Sequence, residues 1–242
     1  ITMHEMLLRC SNTLETLHKM ERYKGHFYNW YDTTSLAILR PAYVSTVDSG
    51  NLVGHLLILR QGILACKSNL IFNPESYNGL FATITIVQDV LQEDQDENIE
   101  SIANMLVTAS RDNSDSLSDI KSNFDSLLEL STEINGYDET SETGKWMIKL
   151  KNQTANIQED LYRQIPWLNL LPIPEAFTGL SKLATNQSLL SLHEMHDHFI
   201  KQIAHYKEEV SHEPDRIWLD NLEAALKTTK RTIPEKLNYF EE

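Results

Sequence analysis

Residues 73–92 read Asn-Pro-Glu-Ser-Tyr-Asn-Gly-Leu-Phe-Ala-Thr-Ile-Thr-Ile-Val-Gln-Asp-Val-Leu-Gln. Proline suits the first turn of a helix, where its missing N–H has no partner to lose. Leu80, Ile84, Val87 and Leu91 then recur at three- and four-residue spacing and share one face, which predicts a helix over 75–92. The same period runs outward in both directions. Met3, Leu7, Leu8, Leu14 and Leu17 predict a helix over 3–23, closed by a basic residue and glycine at Lys24-Gly25. Leu52, Leu56, Leu57, Leu59 and Leu64 predict another, with Asp48 or Ser49 as its cap and Gly50 and Gly54 suggesting close packing.

Further on, Ile99, Ala103 and Leu106, then Leu117, Ile120, Phe124 and Leu127, keep the helical period through a very acidic stretch. Asp89 to Glu142 holds 15 acidic residues against two basic ones, Arg111 and Lys121, so these helices carry solvated acidic faces. Asn135-Gly136-Tyr137-Asp138 reads as a loop, and a long helix follows over 142–164, stopped by Pro166. Leu170-Leu171-Pro172-Ile173-Pro174 reads as an extended linker. Two helices are predicted over 187–210 and 214–230, the second continuing through Leu237 and Phe240 despite Pro234. Only residues 26–47, crowded with aromatic and β-branched side chains and broken by Asp32-Thr33-Thr34-Ser35 and Pro41, suggest extended chain or a short hairpin. The expected class is all-α, built of antiparallel helical hairpins.

Composition narrows the function. The chain has 242 residues, 41% of them apolar, enough for a core of ordinary density, and a formal net charge of −14. That charge argues against nucleic acid and against direct contact with an anionic membrane, since both are bound through Lys and Arg clusters. Cys10 and Cys66 lie far apart among apolar residues and read as buried thiols. No apolar run reaches the roughly 20 residues that cross a bilayer. The abrupt ends, Ile1 inside an amphipathic pattern and Tyr239-Phe240-Glu241-Glu242, suggest an excised segment.

The densest polar and aromatic group is Gly25-His-Phe-Tyr-Asn-Trp-Tyr-Asp32, followed by Tyr43-Val-Ser-Thr-Val-Asp-Ser-Gly-Asn51. Aromatic faces stack on the C–H patches of pyranose rings while Asp, Asn and Ser bond hydroxyl groups, so Trp30 and Tyr31 beside Asn29, Asp32, Ser45 and Asp48 fit a glucan-binding rim. The same residues could instead seal a small core and cap a helix. His193, His196 and His198, with His205, read as a solvated helix face in preference to a metal site, and no metal or other cofactor is called for. P-loop, GxGxxG, HExxH and GxSxG motifs are absent.

Gly-His-Phe-Tyr-Asn-Trp-Tyr-Asp-Thr (25–33), Tyr-Val-Ser-Thr-Val-Asp-Ser-Gly-Asn-Leu (43–52) and Gly-His-Leu-Leu (54–57) closely resemble the segment that opens the middle, glucoamylase-like domain of cyclic β-1,2-glucan synthases. The resemblance covers about 35 residues. It implies a bacterial inner-membrane parent with a glucosyltransferase using UDP-glucose, a middle (α/α)-barrel that closes the ring by transglycosylation, and a phosphorylase-like C-terminal domain. Residues 1–92 would start that barrel on the cytoplasmic side, and 93–242 would be an acidic helical bundle or extension. Partners would be β-1,2-glucan and other domains of the parent. Asn29, Trp30, Tyr31, Asp32, Ser45, Asp48 and Asn51 carry over as substrate-positioning groups. Glycosidic chemistry needs two carboxyl groups, one protonated and one ionised. Asp32 and Asp48 are the only acids in the match and thus its weak catalytic candidates, and the chain alone is expected to be inactive. The alternative is a non-catalytic helical module that spaces or docks domains of the parent.

Overall fold

The computed structural model describes residues 2–91, 97–134 and 137–239, with side chains to Thr229. Its elements are α1 (Met3–Lys19), β1 (Arg22–Tyr23), β2 (His26–Phe27), α2 (Thr46–Cys66), α3 (Glu75–Leu91), α4 (Glu97–Asp112), α5 (Leu117–Glu133), α6 (Glu142–Gln164), α7 (Leu189–Glu209) and α8 (Glu213–Tyr239), with 3-10 turns at Leu168–Leu170 and Glu175–Ala184. The fold is all-α, with one two-stranded antiparallel sheet among the described residues. Two compact units part between Cys66 and Lys67, and α3 packs on α4 and α6 within the larger one. Gln92, Asn135, Gly136 and Phe240 of the expected elements lie outside the described residues.

In the larger unit, α3 packs on α4, α4 on α5, α5 on α6, and α6 back on α3, so four successive helices close a bundle. The apolar period predicted for each is the face that goes inward. Leu80, Ile84 and Val87 of α3, Ile99 and Leu106 of α4, and Leu117, Ile120, Phe124 and Leu127 of α5 are all buried. Phe124 stacks on Tyr77, with ring centroids 5.6 Å apart, and meets Phe72 edge-on. Among the described acidic residues of 89–142, all are exposed except the half-buried Asp125.

Helix starts follow side-chain chemistry. Ser116, Ser141 and Ser188 cap α5, α6 and α7 by accepting from Asp119, Gly144 and Ser191 N–H. Ser141 Oγ also donates to Asp138 O at 2.6 Å, drawing the preceding loop onto the helix. Gly144 is the residue that allows this approach, since a Cβ there would lie 2.1 Å from the Asp138 carbonyl oxygen. Gly144→Ala is therefore expected to cost about 1–3 kcal/mol, as overpacking does. A denaturant midpoint equal to the unsubstituted chain's would show that the loop yields freely.

The last two helices pack on each other. Phe177, in the second 3-10 segment, stacks on Trp218 of α8 at 5.3 Å, and Trp218 Nε1 donates to Leu170 O. Lys207 of α7 bridges Asp220 and Glu223 of α8. His196 departs from the expected solvated face: it is 5% exposed, and Nε2 donates to Leu226 O at 3.0 Å. The reason is register, because Leu192, His196, Phe199 and Ile203 share the buried stripe of α7. His193, His198 and His205 are exposed. Backbone pairing also occurs where none was predicted: Leu70 bridges Ser188, and Ser116 bridges Thr185, which pins the start of α7 to the bundle.

The smaller unit is built differently. Among the described residues from Thr2 to Cys66, none is buried. Helix α1 stops at Lys19, four residues before the predicted end, and Lys24-Gly25 is a hairpin turn, not a helix stop. Both residues take positive φ, 50° and 88°, the conformation of a two-residue turn matched to strand twist. Arg22 pairs with Phe27 across it and lays its guanidinium 4.9 Å from the Phe27 ring. The two cysteines are half-buried and free rather than buried, and desolvation pushes the Cys66 thiol up. A Cβ on Gly50 or Gly54 would meet nothing within 4 Å among the described residues, so the expected close packing is not found there.

Candidate functional site

The loop from Tyr28 to Ser45 joins the hairpin to α2, and hydrogen bonds hold it in place of a core. Helix α2 begins at Thr46, ahead of the predicted cap, because Ser45 Oγ accepts the Asp48 N–H at 3.1 Å. Asn29 stands beside this start. Its Oδ1 accepts the Ser45 N–H at 2.8 Å, its Nδ2 donates to Asp48 Oδ2 at 3.0 Å, and its own N–H donates to Tyr43 O at 2.8 Å. Three of the candidate residues, Asn29, Ser45 and Asp48, thus form one network at the N-terminus of α2, where a carboxylate is also favoured by the helix dipole.

Tyr31 is a clamp. Its hydroxyl accepts the Tyr28 N–H at 2.8 Å and donates to Glu21 O at 2.7 Å, tying the loop to the strand entry. Asp32 makes a turn: Oδ1 accepts from Thr34 N–H, Ser35 N–H and Ser35 Oγ–H at 3.0, 2.7 and 2.8 Å. The Ser35 backbone bond, helped by the Ser35 hydroxyl and the Thr34 N–H, holds the Asp32 carboxyl below its ordinary value. That direction suits a permanently ionised turn-maker and opposes a proton donor.

Since the folded-state pKa lies below the unfolded value of about 3.9, the contribution of Asp32 is fully present above that value. It is lost only as pH falls through the lower, folded-state pKa. An NMR titration of the Asp32 carboxyl is expected to show a midpoint below 3.9, and a midpoint at or above it would refute the turn assignment.

Trp30 and Tyr43 point outward. They are 68% and 60% exposed, yet their backbones are fixed, with Trp30 O accepting the Leu39 N–H at 3.1 Å and Tyr43 O taken by Asn29. Tyr43 opens the second motif but was not assigned a role from sequence; its type and its place at the motif edge were the available signal. Asn51 lies exposed one turn along α2 from Asp48, beyond the network. Among the described residues, no group of three His, Cys, Asp or Glu side chains is placed to hold a metal ion. The chemistry this surface can offer is a pair of exposed aromatic faces on a rigid polar frame, with carboxylates already engaged by neighbours.

Over 57 residues the chain is 47% identical to cyclic β-(1,2)-glucan synthase NdvB of Rhizobium meliloti (strain 1021). The chain is related in part to that synthase. The matched stretch is 24% of this chain and 2% of NdvB, so the chain spans a small fraction of its relative's length. No family model matches the chain. Among the described residues, no helix is long and apolar enough to cross a membrane.

Proposed function

We propose that residues 25–57 form a β-1,2-glucan-binding surface, with Trp30 and Tyr43 as stacking faces, and that it serves the ring-closing transglycosylation region of a cyclic β-1,2-glucan synthase. The observation that carries this reading is the exposed Trp30 indole on a loop whose backbone is pinned on both sides. Exposing an indole to water is unfavourable, and a rigid aromatic platform loses little entropy when a sugar ring settles on it. The partial identity to NdvB supports β-1,2-glucan as the ligand. In this proposal the chain binds and does not cleave, because Asp32 and Asp48 are committed to a turn and a helix start. Residues 1–66 would join a larger (α/α)-barrel on the cytoplasmic side of the parent. Titrating linear β-1,2-glucan while following tryptophan fluorescence is expected to give a saturable change. A flat signal up to millimolar sugar would overturn the reading.

A second reading is favoured by α2. Val47, Val53, Leu57 and Ile58 are each more than half exposed, and its apolar residues are distributed all round the helix. Such a helix suits burial on several sides, so the smaller unit would instead dock other domains of the parent. Charged substitutions at Leu57 and Ile58 leaving glucan affinity intact while releasing those domains would favour it.

A further inference from the structure

We infer that the Asn29 carboxamide is the positioning group of the aromatic surface, and that Asn29, Ser45 and Asp48 act on the sugar only through Trp30 and Tyr43; this rests on the glucan-binding reading above. None of the described residues before Lys67 is fully buried, and Tyr28, Tyr31, Leu36, Ile38 and Val44 of the loop are only half-buried, so apolar packing there is thin. Hydrogen bonds between distant residues therefore carry much of the hold on the loop.

In the usual capping box, the side chain three residues into the helix reaches back to the N–H of the cap residue. Here Ser45 is the cap and Asp48 occupies that third position, but the Ser45 N–H goes to Asn29 Oδ1 and the Asp48 carboxylate receives Asn29 Nδ2. The amide is inserted into the box. It can do this because it presents an acceptor and a donor on one planar group, which neither Asp nor Ala can. Through its own N–H it also holds Tyr43 O, so one residue fixes the helix start, the end of the loop and the segment that carries Trp30. Its bonds reach 14, 16 and 19 residues along the chain, closing the loop at its base. With both ends of the amide engaged inside the protein, its contribution to a bound glucan is to keep the two aromatic faces in place.

Asn29→Asp keeps an acceptor for Ser45 N–H but sets a carboxylate against Asp48. Asn29→Asp combined with Asp48→Asn restores a complementary pair with donor and acceptor exchanged, at unchanged net charge. In the full chain without sugar, the Trp30 indole N–H, assigned by its loss in Trp30→Phe, is expected to be ordered by heteronuclear NOE in the unsubstituted chain and in the double variant. It should be mobile in Asn29→Asp and Asn29→Ala.

With linear β-1,2-glucan, either single variant is expected to lose about tenfold in affinity, and the double variant to return within about threefold. Trp30 equally ordered in all four proteins would overturn the inference, even if glucan binds. A double variant as impaired as Asn29→Asp would do the same. Trp30 order that follows the pattern in a chain with no affinity for glucan would uphold the positioning role and sink the glucan reading alone.

Discussion

Replacing Asn186 with alanine is expected to destabilise the larger unit by about 2–5 kcal/mol, the largest single-residue effect expected on stability. Asn186 is 7% exposed, and its amide behaves as an added peptide unit: Oδ1 accepts the Phe72 N–H at 3.1 Å and Nδ2 donates to Phe72 O at 2.8 Å. Its own N–H reaches Asp115 O at 2.7 Å. It therefore ties three chain segments, before α3, before α5 and before α7. Alanine leaves both main-chain groups of Phe72 unpaired where that residue is 2% exposed, and each buried orphan costs about 1–3 kcal/mol. For a unit of this size the melting point should fall by roughly 5–15 °C. Near-UV circular dichroism, which follows the packed Trp167, is the suitable probe. Asn186→Asp should be no better at neutral pH, because a carboxylate would face the Phe72 carbonyl. A melting point within a degree of the unsubstituted chain's for Asn186→Ala would show that water replaces the amide without cost.

Trp30→Ala carries the largest expected effect on binding. If the indole is the stacking face, its removal should weaken linear β-1,2-glucan binding at least about tenfold, as truncating an aromatic anchor does at other recognition surfaces. Stability should stay within about 0.5 kcal/mol, because an exposed side chain has little packing to lose. Tyr43→Ala should act in the same direction and Trp30→Phe less strongly. Calorimetric titration checks this independently of the fluorescence that the substitution removes. Unaltered affinity in Trp30→Ala would move the sugar site away from this loop.

The bundle was legible because its signals are local. Helix α6 runs from Glu142 to Gln164 as predicted: Ser141 supplies a cap, apolar residues keep the period, and Pro166 prevents continuation. The hairpin was less legible for an equally physical reason. A basic residue followed by glycine ends helices and also makes two-residue turns, and what separates them is whether Arg22 finds Phe27 as a partner. His196 could have been placed from sequence, since its spacing from Leu192, Phe199 and Ile203 puts it on the buried stripe. The Glu175–Ala184 segment carries Phe177, Leu180 and Leu183 at three-residue spacing, the period of a 3-10 helix, and buries all three.

In the candidate site, residue types announced capacity and position in space assigned it. Asn29, Asp32, Ser45 and Asp48 were recognisable as groups that bond hydroxyls or cap helices, and Trp30 and Tyr31 as groups that stack. Which of these they do depends on distances between residues up to 19 apart in the chain. By itself the sequence determined the all-α class, the helices of the bundle and their inward faces, because helical periodicity is a property of neighbouring residues. Only the tertiary structure decided that the amide of Asn29 is spent on Ser45 and Asp48, that Tyr31 is a clamp, and that Trp30 and Tyr43 remain exposed. A hydrogen-bonding group's role is set by the partner it meets first, and that partner is fixed only when the chain folds back on itself.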